Sequence, residues 1–489
     1  MSAIEKLRAL AADAALVSSS SAVLGWDEET YLPPAGHAWR ARQLAWLAGR
    51  AHEMQTSMRW RDAIDAVMAE ATAPRDVANL RQMKVEFERA TKLPTSFVER
   101  EAALTSASKQ AWAAARKADR YGDFEAYLGK IVDLAREKAE LLGYDGEAYD
   151  ALIEPYERGA TAGGIARLFD QLAPQLREIA AAAVERSERI ARALPAGPYP
   201  VGKQMELNRA IAESIGFDFQ SGRIDTTTHP FCTTLGPRDV RLTTRYDEAD
   251  FTSSLFGVMH EAGHGLYELG LREEDFGTPA GSAVSLGIHE SQSRLWENHV
   301  GRSRPFWQKW LPEAARLFPQ LAHLELDDFL AGIRQAGFSF IRVEADEATY
   351  DLHILLRFSI ERRLMRGELT ARDVPAAWNE AFENLFGRRP PTDREGCLQD
   401  IHWSMGGIGY FPTYTLGNLA AAQLFAAACG DAEISAGVES AEYGPLLKWL
   451  RVNVHDAGGS MSPAEIMTRA TGSASGIDAH LAHLRERYL

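Results

Sequence analysis

FTSSLFGVMHEAGHGLYELG, residues 251–270, decides how the rest of the chain is read. At about 100° per residue, Leu255, Val258, Ala262, Leu266 and Leu269 fall on one stripe, and His260 and His264 lie together on the opposite side. The stretch therefore predicts a helix that buries one face and offers a pair of imidazoles on the other. Two such rings one turn apart can hold a single cation, with Glu261 beside it on the solvent side. An isolated histidine is more often a structural residue; the pairing on an amphipathic helix is what favours a metal.

A catalytic metal keeps one position open for water, so three protein ligands are expected. Continuation of the same helix in the manner of metzincins is excluded, because Tyr267 and Gly270 stand where a glycine and a third histidine would be needed. The third ligand must come from a second helix. Residues 283–300, AVSLGIHESQSRLWENHV, follow the turn-rich GTPAGS and offer His289, Glu290, Glu297 and His299, among which spacing does not choose. Glu268, Glu273 and Glu274 read as solvated charges at a helix end.

Around this pair the sequence predicts a mainly α body. Apolar residues recur at three- and four-residue spacing with little glycine or proline, as in residues 123–142, where Phe124, Leu128, Ile131 and Ala135 keep the helical period and Gly143 supplies the stop. Long helices are likewise expected over 36–70, 160–195, 339–365 and 370–386, and Ser462-Pro463-Ala464-Glu465 reads as a capped helix start. Residues 216–246 differ, being rich in threonine and aromatics with turn residues, and predict a small antiparallel sheet beside the metal helix, one edge of which could pair with an extended peptide. With no low-complexity join in 489 residues, one body spanning 1–489 is expected, divisible at most into lobes 1–215 and 216–489.

Composition narrows the partners. A formal charge of -15 disfavours phosphate backbones and anionic lipid surfaces. Cys232, Cys397 and Cys429 are odd in number and far apart, which suits a reducing compartment. No secretory leader is read at the start, and no stretch is expected to approach the roughly 18 apolar residues of a membrane span, so a soluble cytoplasmic protein is the expectation.

DVRLT at 239–243, HEAGH at 260–264, HESQ at 289–292, IRVEAD at 341–346 and GCLQDIHW at 396–403 resemble, in order, the signatures of the Taq-type zinc metallocarboxypeptidases, and GWDEETYLPP at 25–34 resembles that family's opening segment. The resemblance implies that Glu290 is the third ligand and His289 is not. It also implies one zinc ion per chain, with cobalt as a substitute, a deep central groove, a homodimer, and broad removal of C-terminal residues from peptides.

Within that reading Glu261 is the general base, and His229, His402 and Tyr414 are the candidate donors to the oxyanion. Arg342 is the candidate fork for the terminal carboxylate, with an ion pair to Asp346 one helical turn away as its structural alternative. Arg241 beside Asp239 is a rival that would brace the sheet, and Gln399 and Asp400 are expected to support the cleft. Two further functions remain open at this stage: a zinc oligoendopeptidase of similar helical fold, and a scaffold with a structural zinc.

Overall fold

The computed structural model describes residues 2–190 and 193–489. The chain opens with α1 (Ala3–Thr30), started by a reciprocal Ser2–Glu5 capping box, followed by α2 (His37–Gln55) and α3 (Met58–Met68). The single helix expected over 36–70 is thus two, because the Ser57 hydroxyl accepts from Trp60 N–H at 3.2 Å and begins a new N-terminus. Next come α4 (Pro74–Lys92), α5 (Thr95–Ala118), α6 (Gly122–Leu142), α7 (Ala148–Ile153), α8 (Ala162–Ile190) and α9 (Val201–Ser214). Helix α6 ends as expected at Gly143, whose φ of 80° is open to a residue without Cβ. Helix α8 ends at Ile190, and residues 191–192 of the helix expected to reach 195 lie outside the described residues.

One expectation about α1 needs correcting. It contains an 18-residue window of mean hydropathy 1.3, so by length and composition it could cross a membrane. Here it packs against α2, α3 and the strand at Cys232–Gly236.

The sheet has strands β1 (Gly222–Thr226), β2 (Cys232–Gly236) and β3 (Asp239–Thr244) in the order β1-β3-β2. It is mixed, not antiparallel throughout: β2 and β3 form the expected antiparallel pair, but β1 runs parallel to β3. The most apolar strand takes the centre, where Val240 and Leu242 are fully buried and both edges of β3 find partners. That leaves β2 at the edge nearest α1, where Ser19 Oγ donates to the Leu235 carbonyl. Thr234 of β2 lines a cleft of about 580 Å³ bounded also by α1, α4 and the loop at 276–284.

The remainder is helical: α10 (Phe251–Glu268), α11 (Leu286–Arg294) prolonged by a π turn over Leu295–Val300, α12 (Arg304–Leu317), α13 (Leu326–Ile333), α14 (Tyr350–Arg366), α15 (Val374–Phe386), α16 (Pro412–Cys429), α17 (Ala432–Glu439), α18 (Gly444–Asn453), α19 (Pro463–Thr471) and α20 (Asp478–Tyr488). The helix expected over 339–365 starts only at Tyr350. Asp346 stops it from starting earlier, since its carboxylate accepts from the backbone N–H of Gly337, Ala348 and Thr349 and from the Thr349 hydroxyl. One core gathers around α6, α8, α14 and α15, another around α9, α10, α12 and α16, and a small third one lies under α1, α3 and α4.

Candidate metal centre and substrate wall

The apolar stripe of α10 seals the helix into the second core, with Leu255, Ala262 and Leu266 at 0% exposure. Two glycines then allow close packing of helices, one between α10 and α11 and one between α11 and α16. A Cβ on Gly263 would meet the Gln292 carbonyl of α11 at 2.6 Å, and one on Gly417 of α16 would meet Glu290 Cβ at 2.7 Å. The H-E-A-G-H glycine is therefore what lets α11 come close enough to present Glu290 to the two imidazoles.

His260, His264 and Glu290 converge. Glu290 Oε2 lies 3.7 Å from His260 Nε2 and 3.5 Å from His264 Nε2, and all three ligand atoms fall within 4.8 Å of one another. Tetrahedral ligands at zinc distances sit about 3.4 Å apart, so the group has the dimensions of a metal site. Its unused atoms are already engaged. His260 Nδ1 donates to Glu297 Oε2 at 2.9 Å, His264 Nδ1 donates to the His289 carbonyl at 3.1 Å, and Glu290 Oε1 accepts from Arg294 Nε at 2.7 Å. Both tautomers thereby leave Nε2 free, and Glu290 Oε2, which also accepts from the Ser293 hydroxyl at 3.2 Å, is the oxygen turned to them. Arg294 also reaches Glu297 at 3.2 Å. Burial resists ionisation of Glu290, yet Arg294 and the two imidazoles hold it well below the usual carboxylate range.

Glu261 lies beside this group, 6% exposed, and burial together with Glu290 pushes its carboxyl up to about 7 against the opposing pull of His260. The other sequence candidates for the third ligand are engaged elsewhere. His289 stacks on the His264 ring at 4.2 Å and pairs through Nε2 with Glu268 at 3.0 Å. Glu268, expected in solvent, is held between His289 and the Thr234 hydroxyl because the β2 edge folds over the end of α10. His299 packs against His483 and Phe425.

Adjoining the metal group through Tyr350 and α16 stands an aromatic and basic wall. Arg342 is in a short 3-10 turn, not a helix, and its partner is Asp400, not Asp346. Its Nε and Nη2 donate to the two Asp400 oxygens at 3.1 and 2.9 Å, and Nη1 donates to the Tyr350 hydroxyl at 2.8 Å. Asp400 is shared with Arg357 at 2.7 Å, and Gln399 Oε1 accepts from Arg342 N–H at 2.8 Å, as the expected supporting roles require. The side-on fork of Arg342 is thus spent on Asp400 and one Nη1 hydrogen on Tyr350, leaving one N–H on each of Nη1 and Nη2. The guanidinium lies 5.0 Å from the Tyr414 ring and 5.3 Å from that of Phe411. His402 packs 4.6 Å from Phe411 and 5.3 Å from Tyr410, and burial lowers it to about 3, so it is neutral at physiological pH. Burial raises the Tyr410 phenol and, well above the ordinary value, that of Tyr414; both also sense the Glu290 charge.

Tyr350 joins the two halves, accepting from Arg342 and lying under the Arg294 guanidinium at 4.7 Å, which in turn grips Glu290. His229 stands apart, exposed in the β1–β2 connection with no hydrogen-bond partner among the described residues. Arg241 braces the sheet through Asp239 and stacks 4.9 Å from Trp26. Sequence reasoning missed Arg294, Tyr350 and Tyr410. Arg294 carried a signal, lying four residues after Glu290 and three before Glu297 on one helical face.

Comparison with known proteins follows the same lines. Residues 6–488 match the sequence profile of the family described as Carboxypeptidase Taq (M32) metallopeptidase. The chain is 39% identical over 491 aligned residues to Thermostable carboxypeptidase 1 of Thermus thermophilus, covering 97% of this chain and 96% of that one. It is 35% identical over 475 residues to Carboxypeptidase 1 of Bacillus subtilis, covering 96% and 95%. The crystal structure of the M32 carboxypeptidase from Deinococcus radiodurans superimposes with a TM-score of 0.96 at 36% identity, covering 99% of this chain and 98% of that one.

Proposed function

From the fact that this chain belongs to the Taq-type M32 family and is a metallocarboxypeptidase, we propose that it hydrolyses C-terminal residues from peptides with broad specificity, using one zinc ion held by His260, His264 and Glu290. The observation that carries the ligand assignment is the convergence of the two Nε2 atoms and Glu290 Oε2, each on a side chain whose other polar atom is already bonded. Two imidazoles and one carboxylate match the donor set of a catalytic zinc, with cobalt able to substitute. Bound there, such an ion supplies Lewis acidity toward a water and a peptide carbonyl.

Glu261 takes the proton of the attacking water and returns it to the leaving nitrogen, work suited to a carboxyl raised toward neutral pH. As charge develops on the carbonyl oxygen, the Tyr410 and Tyr414 hydroxyls, kept protonated by burial, and neutral His402 are the donors available on the adjoining wall. The end-on N–H pair of Arg342 receives the terminal carboxylate, with Asp400 fixing its orientation. His229, exposed and without a hydrogen-bond partner among the described residues, would touch only the upstream part of a peptide. That upstream part runs along the β2 edge through the cleft lined by Thr234 and α1.

A cytoplasmic setting is supported by three free, widely spaced cysteines, and the acidic charge argues against nucleic-acid or membrane partners. The homodimer rests on the family resemblance. Zinc-loaded protein given matched peptides with free and amidated C-termini is expected to shorten the free peptides one residue at a time and leave the amidated ones intact. Internal cleavage of the amidated peptides would instead establish an oligoendopeptidase.

A further inference from the structure

A pocket of about 290 Å³ opens between α8, α12, α13 and α20, and none of the residues lining it belongs to the metal group or the adjoining wall. In a chain of formal charge -15, this pocket is lined by four arginines, Arg186, Arg304, Arg334 and Arg487. Asp327 is the carboxylate lining it.

Their partners account for only part of this charge. Arg304 pairs with Asp327. Arg487 Nη1 bonds Glu347 Oε2 at 2.8 Å and the Asn298 carbonyl at 2.8 Å. Arg334 donates Nε and Nη2 to the Arg302 carbonyl, a neutral acceptor that fixes the guanidinium without cancelling its charge. Arg186 has no hydrogen-bond or ion-pair partner among the described residues. Arg334 is half-buried, and burial followed by repulsion from Arg487 lowers it to about 10 against the weaker pull of Tyr488 and Glu347. A partly desolvated cation held among like charges is costly unless an anion accompanies it.

We propose that this pocket is a binding site for a phosphate-class oxyanion, held between Arg186 at the rim and Arg334 deeper in. Two guanidinium charges without carboxylate partners match a dianion, and planar N–H forks suit phosphoryl oxygens better than a spherical halide. The volume admits orthophosphate, pyrophosphate or a phosphomonoester. Occupancy also has a structural consequence. Arg487 lines the same pocket and shares Glu347 with His483 at 2.8 Å and Tyr488 at 3.2 Å, so a ligand steadies the attachment of α20 to the turn before α14.

The test is calorimetric titration of the full-length, metal-loaded protein with orthophosphate, pyrophosphate and nitrate in chloride-free buffer, with the thermal midpoint read in parallel. One saturable phosphate site and a rising midpoint are expected, with nitrate binding at least about tenfold more weakly because it brings a single charge. Phosphates also reach metal ions, so the deciding variant is Arg186→Glu, an exposed position outside the catalytic machinery. It should weaken phosphate binding by about tenfold or more, abolish the midpoint shift and leave peptide hydrolysis unchanged. Arg334→Gln should repeat the loss; if that variant fails to fold, Arg186→Glu decides alone. Undiminished phosphate binding in Arg186→Glu, equal binding of nitrate, or no saturable binding up to roughly 10 mM would each overturn the proposal.

Discussion

His260, His264, Glu290, Arg294 and Glu297 come from two runs of chain, α10 and the continuous turns of α11 and its π extension. Arg342, Tyr350, Asp400, His402 and Tyr414, which adjoin them, come from separate stretches: two short turns, the start of α14, a loop and α16. In the first region helical spacing places the groups, and packing has only to bring α10 against α11 at Gly263, with α16 backing Glu290 at Gly417. In the second, no local periodicity orders anything. The wall is held by the buried Arg342–Asp400–Arg357 row and by Tyr350, so each member depends on another. Spacing along a helix therefore fixes the first group, whereas the second is fixed only by contacts among its own members.

The largest expected effect separates chemistry from construction within the first region. Glu261→Gln should bind zinc normally, by metal analysis, and lose about 10³-fold or more in kcat. Retained turnover in the loaded variant would remove the carboxylate from the proton path. In the wall, Arg342→Ala should raise KM for peptides with a free C-terminus by about 10- to 100-fold with unchanged zinc content, since it removes the carboxylate's donors and leaves Asp400 paired with Arg357 alone. A fall in kcat with KM unchanged, or a loss of zinc, would reduce Arg342 to a structural role.

Arg294→Gln and Glu297→Gln probe the seam between the regions. Each should weaken zinc binding by about 10- to 100-fold in a chelator competition, because the first frees Glu290 Oε1 and the second releases His260 Nδ1. Unaltered zinc affinity in both would mean that the helices alone orient the ligands.

The smallest effect concerns Glu157, which closes the far end of α11 by accepting from Gly287 N–H at 2.9 Å. Burial pushes its carboxyl from 4.5 up to about 7. The folded state therefore binds this proton more tightly than the unfolded chain, and its contribution to stability is full below about pH 4.5 and is lost as pH rises through 7. Glu157→Gln should flatten that stretch of the stability-against-pH curve and leave the variant more stable at pH 8, by on the order of 1–3 kcal/mol. Denaturant titrations at pH 5 and pH 8 measure it, and a variant less stable at both would show that the carboxylate itself is needed at the helix start.

The same contrast explains what could be read before the fold was known. Helical class, the metal helix and the region supplying a third ligand follow from residues at fixed spacing, and family resemblance singled out Glu290. The break at Ser57, the late start of α14 and the parallel β1 could not be read that way. A serine cap, the carboxylate of Asp346 and the central place of β3 each override a local pattern through one tertiary or capping contact. Arg342 was legible as a residue but not by its partner, since Asp400 is 58 positions away. Glu268 looked solvated because nothing in its neighbourhood announces that β2 covers the end of α10.

Anomalous scattering recorded across the zinc edge from crystals of the loaded protein tests the central assignment most directly. A single strong peak within about 2.3 Å of His260 Nε2, His264 Nε2 and one oxygen of Glu290 is the predicted result. A peak bound instead through His289 or Glu297, or none between α10 and α11, would contradict it.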